Sequence, residues 1–370
     1  MTLVASPRAA LTPGTRAAVL ATLAAALGVY ASVDPWLLAA FWTLSLAPDV
    51  LLLRARGEAL VSRLHGLFAL GSVAPLVAGL ALLSRHAAPE AAFALLASAL
   101  LLRKAVFPFH GWLPVLVSRA PIPMLPLTLG THLGAFLVIR VMIPALPPTA
   151  SRDLTALADL ALFSALYASV AALAQRDLRR LLGYVIASQL CLVPVGLAMM
   201  DVHSAQGSLL QMFAVGMTST GLLLLTGALE ARVGRVDLGQ VGGLVARYPR
   251  AANLFLILAL AAGGFPASLH FVAEDVILHA LLHRHPVVAT VFLLATVLNG
   301  ITLLLAYFRA FHGPLRGDPG GPIPDLRARE LAPLALLAAL IFASGLAPQG
   351  LLSDAGASIH ALLDAAAAHR

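Results

Sequence analysis

The residues best suited to chemistry lie in one short stretch, Arg103 to Pro114, inside an otherwise apolar part of the chain. Lys104 is the only lysine among 370 residues, and the other 23 basic residues are arginine. Arginine keeps its proton in proteins, whereas a desolvated lysine can release one. Burial and the adjacent Arg103 charge both disfavour protonated Lys104. We therefore predict that Lys104 and Arg103 belong to a proton relay; the alternative is that they reach a membrane surface or form structural pairs.

A second group of ionisable residues follows another break in an apolar run. His270, Glu274 and Asp275 come shortly after the segment from Gly264 to Ser268. A carboxylate inside a membrane span costs about 2.5–3.5 kcal/mol unless it is paired or protonated. We predict Glu274 as a relay residue, with Asp275 and His270 as secondary candidates. The alternative is that the helix ends sooner and both carboxylates lie in the headgroup region.

Two further histidines lie in apolar surroundings. His132 is far from either end of the run from Leu127 to Val141. Imidazole titrates near neutrality, so His132 is either a relay residue or a neutral ring bonded to a neighbouring helix. His110 directly follows the break at Pro108. For this secondary candidate we predict a structural role, in which the ring bonds backbone carbonyls freed by the proline.

The composition indicates a polytopic membrane protein in a lipid bilayer. Hydrophobic residues make up 60% of the chain, charged residues 11%, and the mean hydropathy is +0.92. Soluble domains have about 45–50% apolar and about 25% charged residues. The net charge of +7 comes from short clusters between apolar runs, which predicts membrane topology and no nucleic-acid binding. The single cysteine, Cys191, excludes an internal disulfide, and without nucleotide or metal motifs we predict no cofactor and no metal site.

About eleven apolar runs are long enough to cross a membrane, which takes about 18–25 residues each. They predict an all-α fold. Residues 1–14 would form a cytoplasmic N-terminal segment, 312–330 a cytoplasmic linker, and 350–370 a C-terminal tail at the membrane interface. The predicted spans are 15–33, 35–53, 63–84, 91–117, 123–145, 153–175, 178–200, 205–229, 251–283, 286–311 and 331–348.

Arginines are concentrated in alternate connections between the predicted spans. By the positive-inside rule, the N-terminus and these connections face the cytoplasm of the cell inner membrane. The arginines after the second, fourth, sixth, eighth and tenth spans are Arg54, Arg56, Arg63, Arg119, Arg176, Arg179, Arg180, Arg232, Arg235, Arg247, Arg250, Arg309, Arg316, Arg327 and Arg329.

Two predicted helices, 91–117 and 251–283, are interrupted by Gly or Pro and lie five helices apart. This arrangement is typical of inverted-repeat transporters. It predicts a first five-helix repeat at 15–145, a second at 153–311, and a last transmembrane helix at 331–348. The alternative is that proline merely kinks two ordinary spans.

Several motifs carry a family resemblance. They are Arg103 to Pro114, Leu127 to Arg140, Asp177 to Gln189, Gly242 to Leu244, Gly264 to Pro266 and His270 to Glu274. Over roughly residues 20–312 they resemble the antiporter-like membrane subunits of respiratory complex I and the Mrp-type cation/proton antiporters. The resemblance implies two inverted five-helix repeats with broken helices, each holding a half-channel. It also implies that this sequence lacks the three N-terminal helices usual in the family.

The resemblance implies a role for each relay candidate. The family's switching lysine falls on Arg103, with Lys104 one place later. His132 falls where some members keep a lysine, and Glu274 falls on the family's terminal acid or lysine. The implied function is a proton- or cation-translocating subunit that works with other membrane or cytoplasmic subunits. Such a chain has no redox or hydrolytic site of its own, but can belong to an NADH:quinone oxidoreductase-type translocase.

Departures from the family pattern leave two other functions open. Thr43 stands where the family has a glutamate, and neither a histidine nor a lysine is present near Gly216 and Thr220. The stretch from Trp42 to Leu46 also resembles the membrane subunit of a two-component inorganic-carbon uptake complex, which anchors a cytoplasmic zinc protein. The other alternative is a non-conducting subunit with a structural or coupling role.

Overall fold

A computed structural model describes residues 1–7, 10–317, 324–354, 356, 359 and 360. Over these ranges the chain is mainly helical, with short turns and two isolated β-bridges. The α-helices, in chain order, are α1 (Thr2–Ala5), α2 (Pro13–Ala31), α3 (Pro35–Leu44), α4 (Ala47–Ala55), α5 (Ala59–Gly71), α6 (Val73–Ser84), α7 (Pro89–Arg103), α8 (Trp112–Arg119), α9 (Leu125–Gly130), α10 (Leu133–Leu137), α11 (Ile143–Ala145), α12 (Pro147–Leu173), α13 (Leu178–Ala198), α14 (Val202–Val233), α15 (Pro249–Ala262), α16 (Leu269–Arg284), α17 (Pro286–Phe311) and α18 (Ala328–Leu346).

The prediction of an all-α polytopic membrane protein is confirmed. Within the described ranges, nine helical segments are long and apolar enough to cross a membrane. The two other predicted spans are the interrupted ones, α7–α8 and α15–α16. The division into inverted repeats at 15–145 and 153–311 stays a prediction. The nine segments are Pro13–Ala31, Pro35–Ala55, Ala59–Ser84, Ile122–Ala145, Pro147–Leu173, Leu178–Ala198, Val202–Val233, Pro286–Phe311 and Ala328–Leu346.

Both predicted helix breaks occur near the expected residues. Helix α7 ends at Arg103 and α8 begins at Trp112, while α15 ends at Ala262 and α16 begins at Leu269. Helix α16, which follows the later break, is capped by Ser268, whose hydroxyl accepts a hydrogen bond from the backbone N–H of Phe271 at 3.2 Å. Such a cap satisfies a donor that the start of a helix leaves free.

A third interruption lies inside the span that we predicted at 123–145. Helix α9 ends at Gly130, and α10 begins at Leu133. Between them His132 adopts a left-handed conformation with φ 47°. A non-glycine residue in this region cannot continue a right-handed helix, so the hydrogen-bond ladder stops there. Because of this break, His132 occupies a position that it could not have in an uninterrupted helix.

Helices α13 and α14 form the centre of the bundle. Helix α13 packs against α8, α12, α14 and α17, and almost all of its residues are buried. Helix α14 packs against α9, α15, α16 and α18. It therefore contacts the span that is broken at His132 and both helices of the later break, α15 and α16. The outer helices expose large apolar side chains such as Leu51, Leu67, Phe163 and Leu336, as lipid contact requires.

Some of the arginines that we predicted in connections form ion pairs at helix ends. Arg232 Nη2 lies 2.6 Å from Glu330 Oε2, and both side chains are buried. Arg235 Nε lies 2.5 Å from Asp177 Oδ2. These pairs fix neighbouring helix ends to one another. Removing one partner of a buried pair leaves an uncompensated charge and is strongly destabilising.

The last predicted segments are described only in part. Helix α18 begins at Ala328, within the predicted linker 312–330. Residues 318–323 of that linker lie outside the described residues, as do 361–370 of the predicted tail 350–370.

Candidate functional site

Lys104 and His132 meet where two helices are interrupted. Lys104 directly follows the end of α7, and His132 lies between α9 and α10. The Nζ atom of Lys104 is 3.3 Å from Nδ1 of His132, and both side chains are buried. An ammonium donates to the lone pair of a neutral imidazole, so either nitrogen can hold the shared proton. The structure thus joins two of the four predicted relay residues.

Arg103 faces a different set of neighbours from Lys104. Its Nη2 atom donates to the Ser45 hydroxyl at 2.9 Å, and its guanidinium lies 4.8 Å from the centre of the Trp42 ring. Stacking on an aromatic face suits a planar, permanently charged group. Arg103 therefore supplies a fixed positive charge. Lys104, and not Arg103, contacts the titratable ring of His132.

Two threonines occupy positions where the family resemblance implies charged residues. Thr43 Oγ1 donates to the carbonyl of Ala39 at 2.9 Å, and Thr220 Oγ1 donates to the carbonyl of Gly216 at 2.6 Å. A hydroxyl that bonds the carbonyl four residues earlier is satisfied within its own helix. Neither threonine replaces the missing acid or base.

Asp49 is a buried acid that the sequence analysis missed. It is 1% exposed on α4 and accepts hydrogen bonds from Thr128 Oγ1 at 2.8 Å and Thr22 Oγ1 at 3.3 Å. His65 Nε2 lies 3.9 Å from its Oδ2 atom, and Arg103 lies within electrostatic range. The signal was present in the sequence, because an aspartate inside an apolar span needs a partner.

We call Asp49, Arg103, Lys104 and His132 the first cluster. A cavity of about 20 Å³ lies within it, and its lining includes Arg103, Lys104, His132 and Thr128. About 10–15 Å³ is enough space for one water molecule. The first cluster therefore places two cations and one imidazole around a water-sized space, and its acid, Asp49, reaches that space through Thr128.

Glu274 is the centre of another buried group of polar side chains. Its Oε1 atom accepts from Thr296 Oγ1 at 3.1 Å and lies 3.3 Å from His270 Nε2. Gln211 Nε2 is 3.5 Å from the same oxygen. Glu274 is 6% exposed and His270 is fully buried. We call His270, Glu274, Gln211 and Thr296 the second cluster.

The second cluster can hold one shared proton. An unprotonated imidazole nitrogen and a carboxylate oxygen are both acceptors, so His270 Nε2 and Glu274 Oε1 bond only when one carries a proton. Gln211 Nε2 lies 3.1 Å from His270 Nε2 and can donate to it when that nitrogen is unprotonated. When His270 Nε2 is protonated, the Gln211 amide has to turn over so that its Oε1 atom, which is buried without a partner among the described residues, accepts from it. With that rotation the same side chains support both the loaded and the unloaded state.

Gly264 gives the Glu274 carboxylate its space. It has φ +73°, and a Cβ atom added to it would lie 2.8 Å from Glu274 Oε2. Glycine accepts this backbone conformation without the strain that a side chain would bring. The second helix break therefore brings the backbone within contact distance of the buried acid.

The structure separates two secondary candidates from the clusters. Asp275 follows Glu274 but is exposed on the outer face of α16. His110 stacks on Phe107, with ring centres 5.5 Å apart, and meets the Tyr167 ring edge-on at 4.8 Å. Its Nδ1 atom has no hydrogen-bond partner among the described residues, so the predicted bonds to backbone carbonyls are not seen at that nitrogen. The third, His270, lies beside Glu274 in the second cluster.

Helix α14 lies between the two clusters. Gly216 on this helix faces the first cluster, since a Cβ atom there would lie 4.0 Å from His132 Nε2. Gln211, five residues earlier, belongs to the second cluster. Between 204 and 229 this helix carries no Lys, Arg, Asp, Glu or His. A proton that crosses between the clusters along α14 therefore has to move through water or hydroxyl groups.

The described part of the chain contains no group of three or more His, Cys, Asp or Glu side chains arranged to hold a metal ion. The expectation of no cofactor and no metal remains a prediction.

Comparisons of the sequence with known proteins agree on one family. Residues 41–299 match the family described as NADH:quinone oxidoreductase/Mrp antiporter, transmembrane. The chain is 32% identical to NADH-quinone oxidoreductase subunit M of Pseudomonas aeruginosa over 260 residues, which is 69% of this chain and 50% of that protein. The chain thus spans about half the length of this curated relative.

Solved structures share the fold. A chain of respiratory complex I from Thermus thermophilus, determined with bound NADH, superposes with a TM-score of 0.88 at 25% identity. The match covers 95% of this chain and 79% of that one. A chain of the Mrp complex from a Dietzia species has a TM-score of 0.85 at 22% identity, covering 94% and 77% respectively. The second likeness concerns the fold alone.

Proposed function

Because the chain belongs to the NADH:quinone oxidoreductase/Mrp antiporter transmembrane family, we propose that it translocates protons or cations across a membrane as one subunit of a larger complex. One observation carries the proposal. The pair of His270 and Glu274 is buried beside a broken helix, at 3.3 Å, with hydrogen-bonding neighbours suited to both of its protonation states. A buried acid and imidazole in a membrane span are costly and are typical of proton pathways.

The two clusters have different tasks in this proposal. In the first cluster Lys104 and His132 exchange a proton, while Arg103 remains charged. In the second cluster Glu274 and His270 take up and release a proton near the other helix break. Water carries the proton along α14, where no titratable side chain lies between 204 and 229. Within each cluster the transfer is a short step between neighbouring groups, at 3.3 Å in both cases.

The test is proton flux into proteoliposomes that contain the purified chain with its co-purifying subunits. Lys104→Met and Glu274→Gln each remove one predicted relay group while keeping a similar shape. Asp275→Asn is the matched control, because this carboxylate is exposed beside the same cluster. Loss of flux in both relay variants and its retention in the control would support the proposal. Wild-type flux in both relay variants would remove it.

The partners and the orientation belong to the same proposal. We infer that other membrane or cytoplasmic subunits bind this chain, because the relative in Pseudomonas aeruginosa is named as a subunit of NADH-quinone oxidoreductase. We place the chain in the inner membrane with its N-terminus in the cytoplasm, as its alternating arginines predict. Labelling of a cysteine introduced at Val4, which is 57% exposed in the N-terminal segment, in intact cells with a membrane-impermeant reagent tests this orientation. Strong labelling from outside would contradict it.

A coupling subunit without conduction is the second candidate. The observation in its favour is that Thr43 and Thr220 bond their own helices instead of supplying an acid and a base. An assembled complex that keeps its activity with both Lys104→Met and Glu274→Gln would favour this role. The inorganic-carbon alternative has no specific support from the comparisons and rests on the stretch from Trp42 to Leu46.

A further inference from the structure

Asp49 is a buried acid for which the proposed relay has no task so far. It is 1% exposed, and its two carboxylate oxygens accept from different helices. Thr22 Oγ1 on α2 donates to Oδ1 at 3.3 Å, and Thr128 Oγ1 on α9 donates to Oδ2 at 2.8 Å. An ionised carboxylate in this position requires compensation. The two threonine hydroxyls and the positive charge of Arg103 each offset part of that cost, and His65 Nε2 lies 3.9 Å from Oδ2.

Thr128 connects this acid to the rest of the first cluster. Its side chain bonds Asp49 and also lines the cavity of about 20 Å³ that Lys104 and His132 line. The cavity has room for one water, since about 10–15 Å³ is sufficient. The Thr128 hydroxyl has a second acceptor, the carbonyl of Met124 at 3.0 Å. It can therefore turn away from Asp49 once that oxygen carries a proton.

We propose that Asp49 is a proton-accepting residue of the first cluster, which exchanges a proton with Lys104 through the Thr128 hydroxyl and one water in the cavity. This inference rests on the proposed function and adds to it a residue and a path. It also gives the first cluster the acid that Thr43 does not supply.

The transfer conserves atoms and charge. Lys104 gives a proton to the cavity water, which passes one of its own protons to the Thr128 oxygen. The original Thr128 hydroxyl proton moves to Asp49 Oδ2. One N–H bond is broken and one O–H bond is formed at the ends of the path, and nothing is oxidised or reduced. Before the step the cluster holds Asp49⁻, Arg103⁺ and Lys104⁺, and after it Arg103⁺ alone is charged.

The competing explanation is that Asp49 only ties helices together. The chain offers a matched pair to separate the two. Thr22 and Thr128 both donate one hydrogen bond to Asp49, but only Thr128 lines the cavity. Thr22→Val and Thr128→Val therefore remove the same kind of tie, and only the second one breaks the path. Thr128→Ser restores the hydroxyl.

The first measurement is proton flux in proteoliposomes of the assembled complex, with variants first checked for a folded state by circular dichroism. We expect Thr128→Val to lower the flux by about tenfold, equivalent to about 1.4 kcal/mol in the barrier. Thr128→Ser should retain most of the flux, and Thr22→Val should remain within about twofold of wild type. Equal losses in both valine variants, or wild-type flux in Thr128→Val, would overturn the proposal.

The second measurement does not depend on flux. Because Lys104 is the only lysine, lysine labelled at Cε and Nζ gives one side-chain NMR signal from the whole chain when the affinity tag lacks lysine. We expect the ratio of charged to neutral Lys104 to change in Asp49→Asn and in Thr128→Val, and to stay near wild type in Thr22→Val. An unchanged ratio in Asp49→Asn refutes the inference. If wild type conducts no protons but these ratios change as expected, the proposed function fails and the coupling of Asp49 to Lys104 stands.

Discussion

The two clusters differ in how the chain assembles them. His270 and Glu274 of the second cluster are four residues apart on α16 and share one helix face. Asp49, Lys104 and His132 of the first cluster come from α4, the end of α7 and the break between α9 and α10. A local pattern therefore makes the core of the second cluster, whereas tertiary packing makes the first. A mutation in the second cluster should therefore act mainly on the contacts of the mutated residue. A mutation in the first cluster should also disturb the packing of the several helices that meet there.

The clusters also differ in charge. The second cluster pairs one acid with one imidazole and can be neutral. The first contains Arg103 and Lys104 as potential cations and only Asp49 as an acid. The first cluster is thus a balance of three charges, and the second is a single shared proton.

Removing the shared proton site should have the largest effect. Glu274→Gln leaves His270 without an ionisable partner at 3.3 Å, so we expect proton flux to fall by at least about tenfold, or about 1.4 kcal/mol in the barrier. The measurement is the rate of proton flux in proteoliposomes that contain the assembled complex. Asp275→Asn should keep wild-type flux, and an equal loss in that variant would show that the effect is not specific to the second cluster.

Variants in the first cluster should distinguish the roles of its two cations, Arg103 and Lys104. Lys104→Met removes the group that contacts His132, so we expect flux to fall by about tenfold. Arg103→Lys keeps a positive charge and should change flux less, although it weakens the stacking on Trp42. The same proteoliposome assay compares the two variants. A larger loss in Arg103→Lys would assign the switching role to Arg103.

Two glycines, one beside each cluster, allow the clusters to be compared by the free energy of unfolding of glycine-to-alanine variants. Gly264→Ala places a Cβ atom 2.8 Å from Glu274 Oε2 at φ +73°, so we expect a loss of about 1–2 kcal/mol. Gly134→Ala places a Cβ atom 2.9 Å from Lys104 Cγ, but the lysine stem can move and alanine favours a helix by about 1 kcal/mol. Unfolding in mild detergent should show the smaller change for Gly134→Ala. The reverse order would contradict this account.

The smallest effect is expected from a single hydrogen bond in the second cluster. Thr296→Val removes the donor at 3.1 Å from Glu274 Oε1, and we expect a cost of about 1 kcal/mol in stability. Flux should fall only slightly, because His270 still shares its proton with Glu274. Thr290→Val is the control, since the exposed Thr290 hydroxyl donates to the Pro286 carbonyl of its own helix at 2.9 Å. A tenfold loss of flux in Thr296→Val would give the hydroxyl a place in the proton path.

The sequence predicted parts of both clusters. His270 and Glu274 were predicted because they follow the break from Gly264 to Ser268 in an apolar run. Lys104 was visible because it is unique. Asp49 was missed because it lies near the end of a predicted span, where an acid usually reaches the headgroups. Gln211 was not predicted, because its contact with His270 spans 59 positions of the chain.

By itself the sequence determined the membrane class and the sites of two helix breaks. These follow from hydropathy, proline and glycine, which act over a few neighbouring residues. Only the tertiary structure decided which charged groups meet. Arg103 and Lys104 are adjacent in the chain, yet one contacts Trp42 and the other His132, because the end of α7 turns their side chains toward different helices. The partner of a buried charge depends on packing between distant segments, and no local pattern records it.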